Sequence, residues 1–203
     1  PGIEGIEHEK VLSYIDVLLH KKPVGEKVAI IGAGGIGFDV GEFLVHNHTE
    51  DELAQWYDEW GVDTSLENRS GLKEANVVPS ARKVYLLQRK ETSLGKDLGK
   101  TSGWVHRAVL KHKGVEMIAG TSYDKVDDQG LHITVNGQSR VLDVDHVILC
   151  AGQTPKRDLA DALEVAGAKA KGINAHLIGG ADVAAELDAK RAIDQGSRLA
   201  AEI

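Results

Sequence analysis

Three glycines, Gly32, Gly34 and Gly37, stand in the order Gly-x-Gly-x-x-Gly directly after the apolar run Val28-Ala29-Ile30-Ile31. This spacing suits close approach of backbone to an anion. The first glycine permits a tight turn, the second lets the chain come near a pyrophosphate, and the third lets a helix pack tightly on a strand. A helix starting here would direct its unpaired amides and the positive end of its dipole at the same point. Gly32, Ala33, Gly34, Gly35, Ile36 and Gly37 therefore form a candidate cofactor-binding turn, with a dinucleotide as the ligand class. The competing reading is a glycine-rich turn kept for packing alone.

Which dinucleotide depends on the end of the next strand. A site for NAD places an acidic residue about 20 positions on, where it binds the ribose hydroxyls. Counting forward selects Asp51 or Glu52, but LVHNHTEDELAQ has no strand ahead of them, and both read as acids of a solvated helix. The next strand is KVYLLQ, residues 83–88, and it ends in Gln88-Arg89-Lys90. No carboxylate stands there to repel a 2′-phosphate. Arg89 offers a guanidinium fork and Lys90 a point charge, which favours NADPH over NADH. Ordinary solvated surface is the alternative for this pair.

The elements that must position these residues follow from periodicity. Residues 27–31 read as a buried strand, and a helix runs from Gly35 to about His46 with Ile36, Val40, Phe43 and Leu44 inward. An acidic stretch at about 47–80, carrying Trp56 and Trp60, is too long for a strand-to-helix connection and reads as a partly helical insertion. GWVHRAVLKHKG is a helix and VEMI, 115–118, a third strand. The period then changes to two. SYDKV, LHITV and RVLDV are short strands, the last two joined by the hairpin turn Asn136-Gly137, and they predict an antiparallel meander. HVILCAG (146–152) and AHLIGG (175–180) are further strands, and a last helix starts near Val183. Residues 6–20, with Ile6, Val11, Tyr14, Ile15, Leu18 and Leu19 at helical spacing, predict a helix before the first strand.

The 203-residue chain has a formal net charge of -7, which gives no basic field for nucleic acid or an anionic membrane. No run approaches the ~20 apolar residues needed to span a bilayer. The one cysteine, Cys150, can build neither a disulfide framework nor a multi-cysteine metal site, and it fits a reducing cytoplasm. Nine histidines invite a metal reading, yet His46 and His48 are two apart and His106 and His112 six apart, so no ligand pair and no metal site is assigned. The Trp56–Trp60 pair reads as the core of the insertion; His106 and Arg107 read as structural, with a place near the nicotinamide or a domain interface as the alternative, and Trp104 stays open. The opening PGIEGIEHEK reads as a domain junction of a longer protein.

Two further segments carry a resemblance. VILCAGQTP and HLIGGADVAAELDAKRAIDQG resemble the C-terminal signatures of two-dinucleotide-binding flavoproteins, in which a nicotinamide domain with a β-meander is inserted into an FAD domain. More narrowly, GGIGFDV, LLQRK, LGKTSGWVHR and IGGADVAAELDAKRAIDQG resemble the C-terminal part of bacterial NADPH-dependent 2,4-dienoyl-CoA reductases, over essentially the whole chain. The resemblance implies an α/β fold: a Rossmann-like parallel sheet with an antiparallel β-meander, inserted between segments of a partial FAD-binding domain. Residues 1–22 and 153–203 would be the flavin-domain segments, and 23–152 the NADPH-binding domain.

It also implies a parent chain with an FMN barrel and an iron-sulfur cluster. There NADPH gives a hydride to FAD, and the electrons reduce an unsaturated fatty acyl-CoA during β-oxidation. Asp182 matches the acid that hydrogen-bonds the flavin ribitol, with Gly180 before it, and Ala151, Gly152 and Gln153 match a strand end passing close to the cofactor. The chain has no barrel, no cluster cysteines, no acyl-CoA site and no glycine turn for the flavin pyrophosphate. It is therefore expected to hold NADPH, to hold FAD only in part, and to lack catalytic residues and activity by itself. Two alternatives remain: the reductase part of an NADH oxidase or trimethylamine dehydrogenase relative, and a non-enzymatic NAD(P)-sensing module.

Overall fold

The computed structural model describes residues 2–47, 49–185 and 189–203. They fall into two compact units, residues 1–151 and 152–203.

The first unit is organised by a five-stranded parallel sheet. Strand β1 (Val11–Ser13) leads into a short helix α1 (Tyr14–Leu18), and β2 (Lys27–Ile31) into α2 (Gly35–Val45). After helix α3 (Glu52–Glu59) come β3 (Lys83–Leu87), α4 (Gly103–His112) and β4 (Glu116–Ile118). A meander of β5 (Thr121–Asp127), β6 (Gly130–Val135) and β7 (Gln138–Leu142) precedes β8 (His146–Leu149). The parallel strands lie in the order β1-β8-β2-β3-β4, and the meander forms its own antiparallel sheet. This is the expected α/β class with a Rossmann-like sheet and a meander.

Alternation along the central strands explains the layering. Val28 and Ile30 of β2, with Val84 and Leu86 of β3, face the helices and pack on Phe38, Val40, Leu44 and Leu110. Ala29, Ile31, Tyr85 and Leu87 face the other way, onto Val126, Leu131, Ile133 and Leu142 of the meander. Both faces are covered, which is why these strands read as continuous apolar runs. Asn136 (φ 51°) and Gly137 (φ 74°) form the β6–β7 turn, the left-handed pair that a two-residue hairpin requires.

The segment from 47 to 80 is a side excursion. Asp51 caps α3 by accepting from the Ala54 amide at 2.9 Å, so this acid belongs to a helix and not to a strand end. Trp60 meets Trp104 edge-on at 6.2 Å and His112 at 5.8 Å, which seats the excursion on α4. Buried Asp63 accepts from Ser65 and Asn68 amides at 2.9 and 2.8 Å and from both side chains, and these bonds hold its carboxyl well below the usual carboxylate range. The ends of the excursion meet where the Asn47 side chain donates to the Pro79 carbonyl at 3.1 Å. Beyond it, Arg82 donates to the Gly25 and Leu44 carbonyls.

Four expectations are corrected. Residues 6–20 are not one helix: Val11–Ser13 pairs parallel with β8, and a helix begins only after Ser13. Ser13 and Asp16 form a capping box, the Ser13 amide donating to the Asp16 carboxylate at 2.9 Å, so the break has a local cause. Phe43 is 39% exposed beneath the Lys21 ammonium, and Phe38 takes the inward place. AHLIGG is not a strand, since the second unit offers no described strand to form a ladder with it; residues 179–181 make a 3-10 turn instead. The last helix, α6, is Ala189–Glu202, and residues 183–185 are not helical. The second unit also contains α5 (Asp158–Val165), between HVILCAG and AHLIGG.

Leu110 is fully buried between α2, α4 and the sheet. Leu110→Ala is expected to lower stability in urea unfolding by about 2–5 kcal/mol. Val141→Ala, on the exposed side of the meander, is expected to change it by about 0.5 kcal/mol or less.

Candidate functional site

The turn after β2 is built so that its three glycines serve two purposes. Gly32 has φ +110°, and a Cβ there would lie 2.9 Å from the backbone of Cys150 and Ala151. Its amide donates to the Leu87 carbonyl at 2.9 Å, which ties the turn to the end of β3. A Cβ on Gly37 would come within 1.8 Å of the Gly32 carbonyl oxygen. Packing alone thus accounts for the first and third glycines. It does not account for Gly34, whose Cβ would meet nothing within 4 Å.

That empty space is a cavity of about 260 Å³. Gly32, Ala33, Gly34 and Gly35 form one wall, and Arg89 and Lys90, one and two residues past the expected strand KVYLLQ, form another. Ala151 contributes from the end of β8. Gly34 is the N-cap of α2 and supplies no side-chain cap, and the first turn of the helix holds no acid. The amides at this helix end therefore face the cavity with no carboxylate of their own helix to satisfy them. Ile36 packs behind the turn in the helix-side core, and Gly37 is buried.

The cationic wall is uneven. Arg89 is exposed and, among the described residues, makes no ion pair or hydrogen bond, whereas Lys90 Nζ lies 3.4 Å from the Asp97 carboxylate. The wall is extended by residues the sequence reading passed over. The loop 92–98 curls beside Arg89 because the Gln88 side-chain amide donates to the Lys90 and Thr92 carbonyls and Arg107 donates to the Gly95 carbonyl at 2.7 Å. Tyr123 of β5 also lines the cavity. Burial pushes its hydroxyl up to about 12 against the opposing effect of Arg89, so it remains a neutral donor. The register of β5 on β6 slips by one residue between Tyr123 and Lys125, and a bulge of this type re-aims neighbouring side chains. A tyrosine followed by a charged residue in an alternating strand is the only trace this leaves in the sequence.

Gly152, Gln153, Gly180 and Asp182 belong to the second unit. Gly152 is left-handed at φ +86° with open space where a Cβ would stand, and Gln153 is exposed. Gly180 and Ala181 lie in the 3-10 turn that Asp182 closes. The Asp182 carboxylate accepts from the Gln195 amide at 3.4 Å, and its carbonyl accepts from Arg157. Residues 183–185 after Asp182 are not helical, so the helix expected to start near Val183 does not begin there. These residues do not by themselves assemble a flavin site.

The residues around Gly34 do fit a pyridine dinucleotide: a backbone that a side chain would obstruct, an uncapped helix end, and cations at the neighbouring strand end. Among the described residues no cluster of three or more His, Cys, Asp or Glu could hold a metal ion, and His48 lies outside them. His106 Nδ1 lies 2.6 Å from Glu42 Oε1, linking α4 to α2.

Residues 1–177 match the pyridine nucleotide-disulphide oxidoreductase family, and the chain belongs to that family of flavin- and pyridine nucleotide-dependent enzymes. Among curated relatives, a metal reductase of Desulforamulus reducens is 25% identical over 81% of this chain and 24% of its own length. A mercuric reductase of Staphylococcus aureus is 25% identical over 83% of this chain and 24% of its own. A cinnamate reductase of Clostridium sporogenes is 26% identical over 77% and 19%. The chain thus spans about a quarter or less of the length of these relatives. In fold it is similar to a 2-naphthoyl-CoA reductase, with a TM-score of 0.59, 19% identity and coverage of 80% of this chain and 20% of that one. The 6-hydroxypseudooxynicotine amine oxidase of Pseudomonas geniculata gives 0.64, with 17% identity and coverage of 91% and 23%. No described helix is long and apolar enough to cross a membrane.

Cys150 closes β8 behind the glycine turn. It is buried, and burial pushes its thiol up to about 12. Because the thiolate is the reactive form, Ellman's reagent at pH 8 is expected to label the native chain on the order of a hundred-fold or more slowly than the urea-unfolded chain.

Proposed function

We propose that this chain is the NADPH-binding part of a flavin-dependent 2,4-dienoyl-CoA reductase that acts on unsaturated fatty acyl-CoA. The observation that carries the nucleotide reading is the placement of Arg89 and Lys90 across one cavity from the open Gly34. Gly32, Ala33, Gly34 and Gly35 would hold the pyrophosphate against the N-terminus of α2. Arg89, with no carboxylate partner, would take the 2′-phosphate, and Lys90 would add charge while shared with Asp97. When bound, the nicotinamide supplies a hydride and the flavin accepts it.

The substrate assignment rests on the resemblance of LGKTSGWVHR and IGGADVAAELDAKRAIDQG to bacterial dienoyl-CoA reductases. The cinnamate reductase relative, whose name specifies another conjugated acid, is in keeping with it. In this reading residues 23–152 form the nicotinamide domain with its insertion at about 47–80. Residues 1–22 and 153–203 are flavin-domain segments completed elsewhere in a longer protein that also holds FMN and an iron-sulfur cluster. The exposure of Leu159, Val165 and Ile193 suits segments meant to pack on further protein.

Calorimetry is expected to show NADPH binding more tightly than NADH. Arg89→Ala should weaken NADPH by about 1.5 kcal/mol or more while sparing NADH. Equal affinities in the parent chain would remove the 2′-phosphate assignment. Gly34→Val is expected to keep the native melting temperature, since nothing lies within 4 Å, yet to lose both nucleotides. Retained binding in that variant would show that the turn serves packing only.

A further inference from the structure

We propose a second ligand site, adjoining the glycine-turn cavity at Ser93, in the groove between α4 and the edge strand β4, with a medium-chain carboxylate as its ligand class. The groove has a volume of about 580 Å³. Small-molecule sites usually fall at roughly 300–1,000 Å³, with mostly apolar walls and a few polar groups that fix orientation. The wall here is Leu94, Ala108, Val115 and Met117, of which Leu94 and Val115 are buried. Met117 adds a flexible, polarisable side chain that adapts to an apolar guest.

The charged residues lining the groove are Arg107 and Lys111, and no acid joins them. They stand four residues apart on α4, so both project from one face of the helix. The chain as a whole carries a net charge of -7, and against that background an apolar groove rimmed by cations alone is complementary to an amphiphilic anion. Arg107 is fixed by its bond to the Gly95 carbonyl at 2.7 Å, which orients the guanidinium and leaves further donors for a ligand. Lys111 is exposed and makes no ion pair among the described residues. A lysine in the last turn of a helix is expected from the helix dipole, but the dipole does not account for the apolar concavity beside it. A carboxylate between Arg107 and Lys111, with its chain laid along Leu94, Val115 and Met117, satisfies both features.

Octanoate, titrated by NMR or calorimetry with no nucleotide present, tests this independently of the nucleotide reading. Saturable binding at one site is expected, with 1-octanol about ten-fold weaker for want of the charge. Lys111→Gln should weaken octanoate about three-fold. Met117→Trp, which fills the groove, should abolish it while the melting temperature is kept. Equal binding of octanol and octanoate would overturn the role of the cations. Octanoate binding unchanged by Met117→Trp would place it elsewhere, and absence of saturable binding would overturn the site altogether.

Discussion

The contact on which the rest of the first unit depends is the approach of Gly37 to the Gly32 carbonyl. With 1.8 Å between the Gly32 carbonyl oxygen and the place where a Gly37 Cβ would stand, α2 can start so soon after β2 only because Gly37 has no side chain. This closeness sets the helix axis against the sheet and lets Phe38, Val40 and Leu44 reach the core over Val28 and Ile30. It also leaves the uncapped end of the helix facing the space above the strands. Packing and binding geometry therefore share one cause.

The position of that space follows from topology. The chain leaves β2 for β3 on one side and, after the meander, returns to β8 on the other, so the order of the sheet reverses beside β2. In parallel α/β sheets a crevice opens at such a reversal, outside the carboxyl ends of the strands. At this reversal a Cβ on Gly32 would lie 2.9 Å from the backbone of Cys150 and Ala151. The meander covers the opposite face of the same sheet, and through Tyr123 it sends one side chain into the crevice.

Elements whose sequence pattern had one physical origin were legible. The continuous apolar strands, the glycine turn and the Asn136-Gly137 hairpin each follow from burial or from a required left-handed backbone. Residues 6–20 misled because the i, i+3, i+4 spacing is also met by a short strand followed by a capped turn, and the Ser13-x-x-Asp16 signal that separates them is easily overlooked. AHLIGG has the composition of a strand, but a strand exists only where a neighbour completes its ladder, which no local pattern reports. Tyr123 and the loop 92–98 were invisible for a related reason. A bulge aims the first, and side-chain bonds from Gln88 and Arg107, distant in sequence from one another, shape the second.

The clasp between Asn47 and Pro79 has a consequence for how such a chain can change. Because the excursion leaves and rejoins the unit at nearly one point, with Arg82 anchoring the return on the Gly25 and Leu44 carbonyls, the sheet does not register how much polypeptide lies between. Closing a longer loop across fixed ends costs only about 0.6 kcal/mol for each doubling of its length. The locus is thus a natural port for variation, where evolution or an engineer could shorten the segment, lengthen it or exchange it for another folded module while the parallel sheet stays in register.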